Sequence, residues 1–100
     1  MTTQTYIFTD LDHIKTANRV RGHHFFDRDT MRFFDSRASE PVIGGRFFVT
    51  SERFKPLTGS AHVRRYTLRE ACADGQVRTV GEFQAFASKA AALAEAHRLA

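Results

Sequence analysis

"VRRYTLREA" (63–71) and "QVRTVGEFQ" (76–84) decide the fold, because both runs alternate in the manner of β-strands and a turn signal lies between them. That signal is Asp74-Gly75. Asp-Gly between two strand-like runs is the strongest short-range indication of a β-hairpin. The sequence therefore predicts two antiparallel strands joined by a two-residue turn at Asp74-Gly75.

The predicted hairpin has one apolar face and one charged face. On the apolar face, the register pairs Tyr66 with Phe83, Leu68 with Gly81, and Cys72 with Val77. The other face holds Arg65, Arg69 and Arg78. This separation is typical of an antiparallel sheet that is buried on one side. It predicts that a helix covers the Tyr66/Leu68/Phe83 side, and that Cys72 is a small core residue rather than a nucleophile.

A third strand is predicted upstream of the hairpin, at "RFFVTSERF" (46–54). Residues 55–62 then form a loop. "SEPVIGG" (39–45) is predicted to be a connector, because Pro41 and the two glycines interrupt regular structure. We therefore expect a small three-stranded antiparallel sheet.

Three helices complete the predicted α+β domain. An N-terminal helix covers 9–22, a short second helix covers 26–35, and an Ala-rich C-terminal helix runs from Ser88 to about Leu99 and packs on the sheet. Thr9 or Asp10 caps the first helix, Gly22 ends it, Asp27 caps the second and Ser88 caps the third. Residues 1–100 form a single domain, in which 1–8 are flexible or form a short strand.

Asn18 lies on the apolar side of the first helix, beside Leu11 and Ile14. A polar side chain there needs a partner. We expect it to bond a backbone group of the loop that follows the helix.

Adjacent phenylalanines occur three times between charged residues, in "HFFDRD" (24–29), "RFFDSR" (32–37) and "GGRFFVTSE" (44–52). Neighbours in a strand point to opposite faces, so Phe47 joins the core and Phe48 lies on the other side. The favoured prediction is that segment 23–37 covers Phe48. The alternative is that Phe48 is exposed among the arginines and stacks on single-stranded nucleic acid.

Positive charge is concentrated in the middle of the chain. The net charge is +4, and residues 21–65 carry nine basic and five acidic side chains, which account for all of it. Such a patch is either a solvated face or a surface that attracts nucleic acid or an acidic protein. Clustered arginines repel unless an anion joins them, and that anion is either Glu52 of the neighbouring strand or a group on a partner.

Signals for other classes of protein are missing from the sequence. Cys72 is the single cysteine, which excludes a disulfide framework. The sequence begins without a signal peptide pattern, and no apolar run approaches the ~20 residues of a membrane span, so we expect a cytoplasmic protein. No nucleophile, base and orienting residue can be named together, and adjacent His23-His24 is a poor metal site. We therefore expect no enzyme activity, no cofactor, no metal and no membrane partner.

Five blocks carry a family resemblance: "ANRVRGHHFF", "DTMRFFDSR", "GGRFFVTSERF", "RRYTLREA" and "TVGEFQAFASKAAA". Together they resemble a little-characterised family of small proteins encoded by phages, prophages and other bacterial mobile elements, over residues 17–96. Arg28 stands where a proline would be expected in the short helix. The resemblance implies an accessory gene product in a bacterial cytoplasm, where small proteins commonly bind host factors, including CRISPR complexes, or bind nucleic acid.

The functional prediction is a non-catalytic phage or mobile-element accessory protein that binds and modulates a host macromolecular assembly. The favoured target is a host defence complex of CRISPR type or a nucleic-acid-handling complex, either protein or ribonucleoprotein. The alternative is a module that binds DNA or RNA directly through an arginine-rich sheet face. The candidate binding residues are Arg28, Arg32, Phe33, Arg37, Phe48, Arg65, Arg69 and Arg78.

Overall fold

The computed structural model describes residues 8–33, 35–54 and 63–100. The elements in chain order are α1 (Leu11–Val20), α2 (Arg28–Phe33), β1 (Arg37–Ile43), β2 (Phe47–Phe54), β3 (Val63–Ala71), β4 (Val77–Thr79) and α3 (Lys89–Leu99). The strands form one antiparallel sheet in the order β1-β2-β3-β4. The α+β class is confirmed, whereas the predicted loop at 55–62 lies outside the described residues.

The sheet has four strands, so the prediction of three was wrong. The additional strand, β1, includes most of the segment that was expected to be a connector. Pro41 lies within it, and its pairing with β2 shifts between Ser39 and Ile43. β1 is the edge of the sheet, where a residue without an N–H group removes no essential ladder bond.

The register of the β3–β4 hairpin differs from the predicted one by one residue. Ala71 pairs with Val77, not with Arg78. The Cys72 N–H donates to the Gln76 carbonyl at 2.8 Å, and Gly75 has φ of +85°. The connection is therefore a three-residue loop with a left-handed glycine rather than a two-residue turn.

Helix α1 supports this loop. The side-chain amide of buried Asn18 donates to the Gly75 carbonyl at 2.8 Å. A Cβ atom at Gly75 would lie 2.6 Å from the Ala17 carbonyl oxygen, so the loop approaches the helix too closely for any other residue. Asn18 does bond a backbone carbonyl, but the carbonyl belongs to the β3–β4 loop and not to the loop after α1.

Strand β4 is shorter than predicted. After Val80 the chain leaves the sheet, and it returns at Phe86, which exchanges two backbone hydrogen bonds with Tyr66 at 2.9 and 3.0 Å. Phe86 therefore occupies the position opposite Tyr66 that was predicted for Phe83. Phe83 lies in the intervening loop and is 42% exposed.

Two apolar clusters cover the two faces of the sheet. Helix α3 packs on the face that carries Phe47, Val49 and Leu68, as predicted for the C-terminal helix. The opposite face carries Phe48, which contacts the α1 side of the molecule and the rings of Phe25 and Phe26. Phe48 is completely buried, so the prediction that segment 23–37 covers it is confirmed.

The capping signals predicted for α1 and α3 agree with the structure. The Asp10 carboxylate accepts a hydrogen bond from the His13 N–H at 2.8 Å and begins α1, and Gly22 follows the helix with φ of +82°. Ser88 caps α3 by accepting from the Ala91 N–H at 3.1 Å. Phe8 is buried, and its N–H donates to the Gly45 carbonyl at 2.7 Å, while residues 1–7 lie outside the described part. None of the helices described here has the length and apolarity that crossing a bilayer requires.

Candidate binding surface

A charged pair is buried in the sheet face that α1 and α2 flank. Glu52 is completely buried and accepts hydrogen bonds from the hydroxyls of Thr50 at 2.5 Å and Thr67 at 2.7 Å. The Arg69 guanidinium donates to the same carboxylate at 3.1 Å and to the Thr79 hydroxyl at 2.6 Å. A carboxylate is tolerated at such a depth only when a cation and hydrogen-bond donors compensate its lost hydration, and all of these are present.

Above this pair lies a cleft of about 520 Å³. Its lining consists of Phe25, Asp29, Thr30, Met31, Ser36, Arg69 and Phe83. The central carbon of the Arg69 guanidinium lies 5.2 Å from the centroid of Phe25 and 5.6 Å from that of Phe83. Both distances are within the range of cation–π attraction, so the two rings and Glu52 together fix the guanidinium at the floor of the cleft.

A second depression of about 560 Å³ adjoins the cleft along α2. Arg28, Arg32 and Asp35 line it, and it shares Met31 and Ser36 with the first. Both arginines are exposed. The two depressions form one continuous surface along the short helix. We call this region, defined by Phe25, Arg28, Met31, Arg32 and Phe83, the α2 surface.

The predicted arginine face does not exist as a unit. Arg69 pairs with Thr79 in the sheet, and Arg78 pairs with Glu70, so Arg69 and Arg78 point to opposite faces. Arg78 forms an ion pair with Glu70 at 2.5 Å on the α3 side. Arg65 shares the Arg69 face and donates to the Gln84 carbonyl at 2.8 Å. The prediction of a single arginine face was wrong because the β3–β4 register differs by one residue, and such a difference moves every β4 side chain to the other face.

The other predicted residues are distributed over several environments. Arg28 and Arg32 lie together on the α2 surface, and Arg37 is exposed at the start of β1. Phe48 is beneath Phe25 and inaccessible, so it is not an exposed stacking platform. The side chain of Phe33 lies outside the described part.

Sequence reasoning missed Phe83 and Met31 as surface residues. Phe83 was assigned to the core because the assumed two-residue turn placed it opposite Tyr66. The deciding signal was the pair Gly81 and Gln84, both of which have positive φ and release the chain from the sheet. Of these two residues, only Gly81 gives a signal in the sequence, because glycine in a strand pattern often marks such an interruption.

Two adjacent histidines each lie beside one carboxylate. His24 Nδ1 lies 2.7 Å from the Asp27 carboxylate, and His23 Nε2 lies 4.0 Å from that of Asp74. Within the described ranges, no three His, Cys, Asp or Glu side chains are placed to share a metal ion. Cys72 is half-buried, and burial, with the negative charges of Glu70 and Asp74, raises the pKa of its thiol.

Comparison with known families gives a match over most of the chain. The model of a family of unknown function, DUF7447, matches residues 10–97, from the N-cap of α1 to the last turns of α3. The chain belongs to this family. No curated protein and no solved structure matches it. The family match includes the whole α2 surface and the Glu52–Arg69 pair.

Proposed function

We propose that the protein is a non-catalytic accessory protein of a phage or another mobile element, and that it binds and modulates a host macromolecular assembly. The favoured target is a defence complex of CRISPR type or another nucleic-acid-handling complex. The genetic setting rests on the resemblance of the sequence blocks between residues 17 and 96. The binding role rests on the composition and geometry of the α2 surface.

The observation that carries the proposal is the exposed Phe83 beside the fixed guanidinium of Arg69. Aromatic residues, Met and Arg are the residue types enriched at protein interfaces and at their hot spots. The α2 surface combines all three in one continuous depression. Because the Phe25–Arg69–Phe83 stack is already assembled, binding would require little ordering of these side chains, which favours affinity.

The polar groups beneath the cleft favour binding over catalysis. The two oxygens of Glu52 accept from two hydroxyls and from Arg69, and the Thr67 hydroxyl also accepts from the Gln84 N–H at 2.8 Å. These groups form hydrogen bonds with one another beneath the surface. Their arrangement supports the shape of the cleft and keeps Glu52 away from an incoming ligand.

The chemistry of the α2 surface specifies the partner surface. An apolar or aromatic side chain of the partner fits into the cleft above the Phe25–Arg69–Phe83 stack, and carboxylates beside it would pair with Arg28 and Arg32. The expected partner therefore presents an aromatic side chain flanked by acidic residues.

Affinity for the purified host complex tests this proposal. Pull-down from host cytoplasm identifies the complex, and titration calorimetry then compares Phe83→Ala, and Arg28→Glu with Arg32→Glu, against the original protein. Hot-spot truncations cost at least about 2 kcal/mol, so each variant should lose roughly 30-fold or more in affinity. The matched control is Arg19→Glu with Arg21→Glu, which makes the same charge change on exposed positions at the C-terminal end of α1. If the folded α2 variants bind like the control, the α2 surface is not the interface.

A second candidate function is direct binding of DNA or RNA. The observation in its favour is a group of arginines that belongs to the sheet but not to the predicted face: Arg53 and Arg64 lie directly opposite each other on β2 and β3. Two like charges in this position destabilise a sheet unless anions compensate them.

A further inference from the structure

One carboxylate, Asp35, serves three arginines from three neighbouring strands. Its oxygens lie 2.5 Å from Arg64 Nη2, 3.8 Å from Arg37 Nε and 3.9 Å from Arg53 Nε. Three positive groups and one negative group leave a local charge of +2.

The sheet register places these arginines in a row. Arg64 pairs with Arg53, and Arg37 pairs with Ser51, two residues from Arg53 and therefore on the same face. Adjacent strands are about 4.8 Å apart, so the three side chains extend over roughly 10 Å across the sheet. We call Arg37, Arg53 and Arg64 the arginine row.

The members of the row differ in how firmly they are held. Arg64 is mostly buried and donates to the Ser51 carbonyl at 3.1 Å, the Ser51 hydroxyl at 2.8 Å and the Asp35 carbonyl at 3.1 Å. Arg37 and Arg53 are 66% and 46% exposed. Among the described residues, their guanidinium groups form long ion pairs with Asp35 and no hydrogen bond. Within the described ranges, their donors are therefore available to an incoming anion.

We propose that the arginine row binds the phosphates of a nucleic-acid backbone. Guanidinium groups donate two parallel hydrogen bonds to phosphate, and a backbone offers successive phosphates to a row of cations. The single resident carboxylate compensates one of the three charges and leaves two for the ligand. Contacts of this kind hold a strand in position and do not read its bases. The inference deepens the second candidate function, to which it assigns specific residues and a ligand group.

Fluorescence anisotropy with labelled single-stranded RNA, single-stranded DNA and duplex DNA tests the proposal. We expect binding to at least one of these, weakening steeply between about 50 mM and 200 mM salt. Arg37→Gln with Arg53→Gln should reduce affinity at least tenfold at the lower salt. It should also reduce the salt slope by roughly 1.4 for a single strand, at about 0.7 for each lost phosphate contact. Arg64 is left unchanged because it supports the sheet.

Two further variants test whether the change in affinity comes from the charge of the arginine row. Asp35→Asn removes the resident anion and retains a residue type that tolerates the left-handed backbone at this position, where φ is 48°. It should raise nucleic-acid affinity, the opposite of the arginine variants. Arg19→Gln with Arg21→Gln removes the same charge from the C-terminal end of α1 and should change affinity less than threefold.

Several results would overturn the inference. They are an absence of binding to all three nucleic acids in low salt, equal losses in the row variant and the α1 control, or lower affinity in Asp35→Asn. Equal affinity for polyglutamate, lost in the same row variant, would assign the row to an acidic protein instead. The assay contains no host assembly, so a negative result here does not affect the test of the α2 surface.

Discussion

Replacing Arg69 with methionine should severely destabilise the protein. Methionine retains much of the aliphatic length of arginine but removes the cation that lies 3.1 Å from the completely buried Glu52 carboxylate. The hydroxyls of Thr50 and Thr67 would still donate to Glu52, but no positive charge would compensate its burial. The variant thus creates an uncompensated charge inside the sheet.

The expected cost follows from the burial of the pair. Removing one partner of a buried ion pair costs about 3–5 kcal/mol. In a domain of this size, each kcal/mol shifts the melting temperature by roughly 4–8 °C, so a decrease of at least about 12 °C is expected. Such a loss is a large fraction of a typical total stability of about 5–15 kcal/mol. The attraction of the guanidinium for the rings of Phe25 and Phe83 is lost as well.

Thermal and urea unfolding followed by circular dichroism measure the effect. Arg78→Met is the matched control, since Arg78 is 61% exposed and its pair with Glu70 should contribute less than about 1 kcal/mol. Adding Glu52→Gln to Arg69→Met should recover much of the loss, because an amide keeps hydrogen-bonding capacity without a buried charge. If Arg69→Met and Arg78→Met have the same melting temperature, the burial of Glu52 does not depend on Arg69 and the reasoning is refuted.

Two other predictions concern the β3–β4 loop. Gly75→Ala should lower the melting temperature more than Gly22→Ala: both positions have positive φ, which costs about 1–2 kcal/mol for alanine, but only at Gly75 would the new Cβ meet a backbone atom, 2.6 Å away in Ala17. Equal melting temperatures would show that the loop does not press against α1. Burial raises the pKa of the Cys72 thiol, so iodoacetamide should alkylate Cys72 more slowly in the folded than in the urea-unfolded protein near pH 8. An equal alkylation rate in both states would contradict this prediction. Since the folded state favours the neutral thiol, the contribution of Cys72 to the free energy of unfolding is complete below the unfolded pKa of about 8.5. That contribution is lost as the pH rises through the folded pKa.

Elements with local chemical signals could be predicted from the sequence. Asp10 and Ser88 accept hydrogen bonds from the first turns of α1 and α3, and these caps depend on residues only three positions apart. Strand β3 was predicted with the bounds that the structure gives, 63–71. These features depend on neighbours in the chain, so a single sequence contains the necessary information.

Features that depend on distant contacts could not be predicted. Asp74-Gly75 is compatible with a two-residue turn and with a three-residue loop, since a left-handed glycine suits both. The hydrogen bond from Asn18, 57 residues away in sequence, accompanies the longer loop. β1 was missed because Pro41 argues against a strand unless its place at the sheet edge is known.

The candidate site was predicted in part. Glu52 was considered as the carboxylate that neutralises the arginines, and it does so for Arg69. Arg28 and Arg32 lie on the α2 surface, but the importance of Phe83 depends on the interruption after β4. The surroundings of Arg37 depend on Asp35, which follows α2 and reaches β2 and β3 only through the tertiary fold.

The distribution of carboxylates explains where positive charge remains available. Glu52 compensates Arg69 inside the sheet, and Glu70 on the opposite face serves two arginines, Arg46 at 3.3 Å and Arg78 at 2.5 Å. In the described part of the sheet, the largest excess of arginines over carboxylates is therefore at the arginine row, where three arginines share Asp35. A surface whose arginines were paired individually would gain little affinity for anions when one acid is removed, because only one arginine would lose its partner. The row should instead respond strongly to Asp35→Asn, because one substitution removes the negative charge that three guanidinium groups share at the same end of the sheet.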